Sequence, residues 1–143
     1  MMTAGMTILI LEGHQGVRNA LARRLVRQSG IRRVVATATL SAALRMGRPR
    51  APDLVICDPK TVGQDLTHGI RRLRALDCPI LVLTASLEPE ERLLIEQAGA
   101  EVVLFHGIGL PTLRAGINLA VALRQDYQHG TGRLDAEYPR TMS

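Results

Sequence analysis

A chain of 143 residues with 46% hydrophobic and 22% charged residues has the balance of one globular domain, long enough to bury about 70% of the surface its unfolded form exposes. That balance excludes disorder except at the ends, and no apolar run approaches the roughly 20 residues of a membrane span, so a cytoplasmic location is expected. The net charge is +5, carried by seventeen arginines and the single Lys60, yet with 2% aromatic residues there is no stacking platform for bases, and nucleic acid is not the expected partner.

Read in chain order, short β-branched runs alternate with helical patterns. TILILE (7–12) reads as a strand, followed by VRNALARRLVRQ (17–28), where Val17, Leu21 and Leu25 recur at helical spacing with arginines opposite. VVATA (34–38) is the second strand, and LSAALRMG (40–47) a short helix stopped by Gly47 and Pro49. DLVICD (53–58) is the third strand. The helix LTHGIRRLRAL (66–76) puts Leu66, Ile70 and Leu73 on one face, with Asp65 as its N-cap. After ILVLT (80–84), the helix at 88–99 has Pro89 and two glutamates in its first turn and Gly99 at its exit. EVVLF (101–105) is the fifth strand, and the helix at 111–126 turns Leu113, Ile117, Ala120 and Val121 inward. Cys57 and Cys78 lie in or beside apolar runs and read as small core residues. The expected domain is 1–125, with 126–143 a flexible tail or a linker to an output domain.

Apolar strands alternating with helices imply a doubly wound parallel α/β sheet covered on both faces. Sites of such sheets form where strands end, so Glu12, Asp58, Thr84 and His106 should share one rim. Asp58 stands out. PDLVICDPK runs from a core strand straight into a carboxylate, which is costly unless a cation, a donor or water meets it.

Three segments carry a resemblance to a known family. PDLVICD followed by Asp65, then PILVLTA, then EQAGAEVVLF stand in the order and spacing of receiver-domain motifs. Over 7–125 the chain resembles the receiver domain of two-component response regulators, the module of chemotaxis-type regulators. The resemblance implies a flavodoxin-like five-stranded sheet of order 2-1-3-4-5 with five helices, acting in a phosphorelay as a signalling module, not an enzyme. It makes Asp58 the phosphoacceptor and gives Thr84 a hydroxyl contact with the phosphoryl group. It assigns a weakly held Mg²⁺ to Glu12, Asp58 and the backbone carbonyl of Lys60. The implied partners are a histidine kinase or phosphotransfer protein and a downstream protein or output domain. A homodimer through the fourth helix, fifth strand and fifth helix is also implied. The chemistry agrees: phosphoryl transfer needs a positioned oxygen, a divalent cation and surrounding donors more than it needs covalent help.

The chain departs from this pattern in several places. The acid pair after strand one is Glu12-Gly13, His106 stands for the strand-five lysine, and Gly107 for the proline after it. Val103 stands for the aromatic switch, and Thr61-Val62 for a Met-Pro pair. The alternative function is therefore a pseudo-receiver, a protein-binding module that works without phosphorylation. Glu12, His14, Asp58 and His106 show no zinc-type spacing. A small flavodoxin-like enzyme would need a phosphate-cradling loop or a catalytic base, and neither is visible.

Overall fold

The computed structural model describes residues 5–63 and 65–126. Five strands, β1 (Met6–Leu11), β2 (Ile31–Thr37), β3 (Leu54–Cys57), β4 (Ile80–Thr84) and β5 (Val102–Phe105), form one parallel sheet of order β2-β1-β3-β4-β5. This is the flavodoxin-like order expected. The period-two alternation of strand side chains builds a core on each face. Leu9, Leu11, Val55, Cys57, Ile80 and Val82 join one core, whereas Ile8, Ile10, Leu54, Ile56, Leu81 and Leu83 join the other.

Six helices, not five, occur among the described residues. On one face lie α2 (Leu40–Met46), α4 (His68–Leu73) and α5 (Pro89–Ala98), anchored by Ala43, Ile70, Leu73 and Ile95. On the other lie α1 (Gln15–Val26) and α6 (Leu110–Asp126), anchored by Leu21, Leu25, Leu113, Ile117 and Ala120. The extra helix, α3 (Pro59–Val62), is a four-residue turn starting directly after β3. Its sequence, PKTV, carries too little periodicity to show a helix. Asp58 makes it by capping, accepting the Lys60 N–H, with Pro59 preset for a first turn.

Other boundaries also moved. α4 begins at His68 because Asp65 Oδ1 accepts the N–H groups of Thr67 (2.9 Å) and His68 (3.3 Å), so the acid caps from outside the helix. These bonds hold the Asp65 carboxyl below its usual range. The chain continues past α4 through a 3-10 turn at Arg74–Leu76. β2 starts three residues earlier than its apolar run, since Met6 pairs with Ile31 and an edge strand tolerates exposed Arg32 and Arg33. Val121 is only half-buried, and Arg124 takes an inward position of α6 instead. Both cysteines are free and buried, as expected. Burial pushes both thiols up, that of Cys78 to about 12, so neither is a ready thiolate. Of the tail expected at 126–143, Asp126 closes α6 and 127–143 lie outside the described residues.

Candidate functional site

The register of the sheet delivers the site. Leu11 pairs with Cys57 across β1 and β3, which places the next residues, Glu12 and Asp58, side by side. Backbone bonds fix both: the Asp58 N–H donates to the Leu11 carbonyl and the Glu12 N–H to the Thr37 carbonyl, each at 3.0 Å. Thr84 ends β4 and pairs with Phe105, and the His106 N–H then donates to the Thr84 carbonyl (2.9 Å).

Asp58 divides its two oxygens. Oδ1 accepts the Thr84 hydroxyl at 2.8 Å and the Lys60 N–H at 3.0 Å. Oδ2 has no hydrogen-bond donor among the described residues, although the side chain is only 5% exposed; His106 Nε2 lies 3.7 Å away. Glu12 Oε2 accepts the His14 N–H (2.8 Å), while Oε1 lies 4.0 Å from the same imidazole nitrogen. One ligand atom from each of Glu12, Asp58 and His106 falls within 4.8 Å of the other two. All four rim residues expected from the sequence come together. His14 does not join them: it is exposed at the start of α1, and its contribution is a peptide N–H.

Two buried carboxylates this close oppose each other's ionisation. Burial raises the Glu12 carboxyl above its ordinary range, and neighbouring Asp58 adds to the rise; the His14 and Thr61 hydrogen bonds and His106 pull the other way. A cation seated at the rim relieves this. Receiver domains bind Mg²⁺ at this acidic pocket, and that ion wants a near-octahedral shell of oxygens. Two features here fit it poorly. An imidazole nitrogen faces both carboxylates. No second acid follows Glu12, and position 13 has no room for one. A Cβ built on Gly13 would lie 2.0 Å from the Thr61 carbonyl oxygen. The donor set fits a divalent cation that accepts nitrogen.

Comparison with known proteins decides the family. A family model described as the response regulator receiver domain matches residues 8–127. The chain belongs to this family. Receiver domains are signalling modules. This receiver domain is 34% identical over 119 residues to the KDP operon transcriptional regulatory protein KdpE of Escherichia coli, covering 82% of this chain and 51% of that protein. It is 35% identical over 99 residues to the virulence sensor protein BvgS of Bordetella pertussis, covering 63% of this chain and 8% of that protein. The chain thus spans about half the length of the first relative and a small part of the second. Among solved structures, a LuxR-family two-component response regulator from Aurantimonas superposes with a TM-score of 0.75 at 25% identity, covering 85% of this chain and 88% of that one.

Three residues of the receiver rim escaped the sequence. Thr61 bridges two loops, its Oγ1 accepting the Gly13 N–H (2.8 Å) and donating to the Asp58 carbonyl (3.2 Å). Glu91 receives Lys60 Nζ at 3.2 Å. Phe105, the one phenylalanine of the chain, joins the same core as Val103 and lies beneath the Arg92 guanidinium, 5.9 Å from ring centre. The only signal for Phe105 was its place two residues beyond Val103, on the same face of β5.

Proposed function

We propose that this receiver domain accepts a phosphoryl group on Asp58 in the cytoplasm. The donor is the phosphohistidine of a kinase or phosphotransfer protein, and the signal passes to a downstream protein or an output domain beyond 1–125, with 126–143 as tail or linker. The division of Asp58 carries this reading: two donors hold Oδ1 while Oδ2 is left without one, so one oxygen orients the group and the other attacks. In the transfer the donor's P–N bond breaks as an O–P bond forms at Oδ2, and the leaving imidazole nitrogen takes up a proton. The Thr84 hydroxyl then turns to a phosphoryl oxygen.

A route outward is available without the family's aromatic at Val103. Lys60 Nζ pairs with Glu91 Oε1, and that oxygen also accepts the Glu88 N–H that caps α5. A shift of the α3 turn is thereby felt at α5. Leu93 and Leu94 on α5 and Leu119 and Leu123 on α6 are exposed, which supports a homodimer or partner contact through α5, β5 and α6.

The closed space at Gly13 and the imidazole at the rim favour a second reading, a pseudo-receiver that binds partners without phosphorylation. Incubation with acetyl phosphate and a divalent ion separates the two. The expected result is a mass gain of one phosphoryl group, absent in Asp58→Asn. No gain with any divalent ion would leave the pseudo-receiver.

A further inference from the structure

We propose that the corner of the domain where α1 and α2 end beside β2 binds the phosphate backbone of duplex DNA. The inference stands apart from the acceptor chemistry of Asp58 and rests on where the chain puts its charge.

From Gly13 to Pro52 the sequence has nine arginines and no aspartate or glutamate. All thirteen acids lie outside this stretch, where they outnumber the other nine cationic side chains. The net charge of +5 is therefore the sum of two regions of opposite sign.

The fold gathers the positive region at one place. β2 is an edge strand, with α1 packed on one face of the sheet and α2 on the other. In a parallel sheet the crossover helices run back against the strands, so α1 and α2 both end where β2 and β3 begin, at the opposite end from Asp58. Arg23, Arg24 and Arg27 stand at the end of α1 and Arg33 near the start of β2. Arg45 is in the last turn of α2, with Arg48 and Arg50 just beyond it. All seven are exposed, and their guanidiniums make no hydrogen bond or ion pair among the described residues. Arg18 and Arg32, the other two of the nine, bond to neighbouring loop and strand atoms.

Local helix physics does not account for this segregation. Cations in a last turn meet the negative end of the helix dipole, which suits Arg23, Arg24 and Arg45. The same dipole favours acids in a first turn, yet neither helix has one. Arg33, Arg48 and Arg50 lie outside helices altogether. Gathered like charges repel one another, and an extended anion relieves them together.

Chemistry then selects the anion. Guanidinium forks match phosphate oxygens with paired hydrogen bonds, and several chain segments offer them to successive phosphates. Single strands and unpaired RNA are held by bases stacked on aromatic rings, and Phe105, Tyr127 and Tyr138 all fall outside this stretch. The missing stacking platform, which in the sequence argued against nucleic acid, thus excludes the single strand and leaves the duplex. Contacts to phosphates alone carry no base readout.

Fluorescence anisotropy of the full chain with a short labelled duplex tests this. Affinity should fall about 150- to 500-fold between about 50 and 200 mM salt, the dependence of about four or five phosphate contacts. Arg23→Ala/Arg27→Ala should weaken binding at least about tenfold in low salt and flatten the log–log salt slope by about two, and Arg48→Ala/Arg50→Ala should do the same. Arg92→Ala, one charge removed from α5 at the other edge of the sheet, should cost less than about twofold. Circular dichroism checks that the variants fold. No binding in low salt, an equal loss per charge in Arg92→Ala, or binding to polyglutamate or to anionic lipid vesicles as tight as to the duplex would overturn the proposal.

Discussion

At the amino edge of the sheet, Glu101 sits between two arginines. Its Oε2 lies 3.1 Å from Arg74 and 3.6 Å from Arg124, its Oε1 accepts the Ile80 N–H at 2.8 Å, and Arg124 also pairs with Asp77. At the carboxyl edge, Glu12 and Asp58 share a single imidazole, and Asp58 Oδ2 lacks a hydrogen-bond donor among the described residues. The acids Glu101, Glu12 and Asp58 are largely buried, Asp77 is exposed, and both clusters close an end of the same strands. The first matches every acid with a cation and ties β4, α6 and the turn after α4 together. The second leaves anionic charge in excess, a state that costs stability until something cationic or transferable arrives. One end is built to hold, the other to receive.

The largest expected effect breaks the holding end. Glu101→Ala leaves two guanidiniums facing each other and removes the acceptor of a strand N–H, so urea unfolding should show a loss of about 3 kcal/mol. A loss no larger than that of an exposed pair would erase the contrast between the two edges. Gly13→Asp comes next, attacking the receiving end by trying to complete its acid pair. Because the added Cβ meets the Thr61 carbonyl at 2.0 Å, the α3 turn must shift, and a destabilisation of about 2 kcal/mol is expected with no gain in Mg²⁺ affinity. Tighter Mg²⁺ binding in this variant would show that the turn yields freely.

The smallest effect has the opposite sign. The Glu12 carboxyl is raised above its ordinary value of 4.5, chiefly by burial. A raised acid binds its proton more firmly in the folded chain, so its stabilising contribution is full below the unfolded value and lost as pH climbs through the folded one. Glu12→Gln, measured metal-free with a chelator, should therefore be more stable than the parent near pH 7 by on the order of 1 kcal/mol, a few degrees in Tm, with the difference closing below about pH 4.5. A variant less stable at neutral pH would mean that the His14 and Thr61 hydrogen bonds outweigh burial.

Much of this was legible in one dimension. Asp58 and Thr84 declared themselves because a polar group directly after an apolar strand run is an exception that needs a reason. The strand–helix alternation gave the parallel sheet, and the exit glycine of α5 marked its stop, with Gly99 at φ 124°. Other features were not legible. Val121 looked like a core residue by type, yet Glu101 and Asp77, remote in the chain, draw Arg124 inward nearby. The α3 turn depends on a cap from Asp58 and a bridge from Thr61 to Gly13, and neither leaves a mark on local periodicity.

The sequence by itself determined the order of elements, the apolar faces and the residues standing at each strand end, because hydrophobic periodicity and capping act over a few residues. Only the tertiary structure decided that His106 turns its nitrogen toward both Glu12 and Asp58, that Lys60 presents an N–H to Asp58, and that Thr61 fills the space beside Gly13. Those contacts are set by strand register and loop packing between segments distant in the chain, which no local pattern encodes.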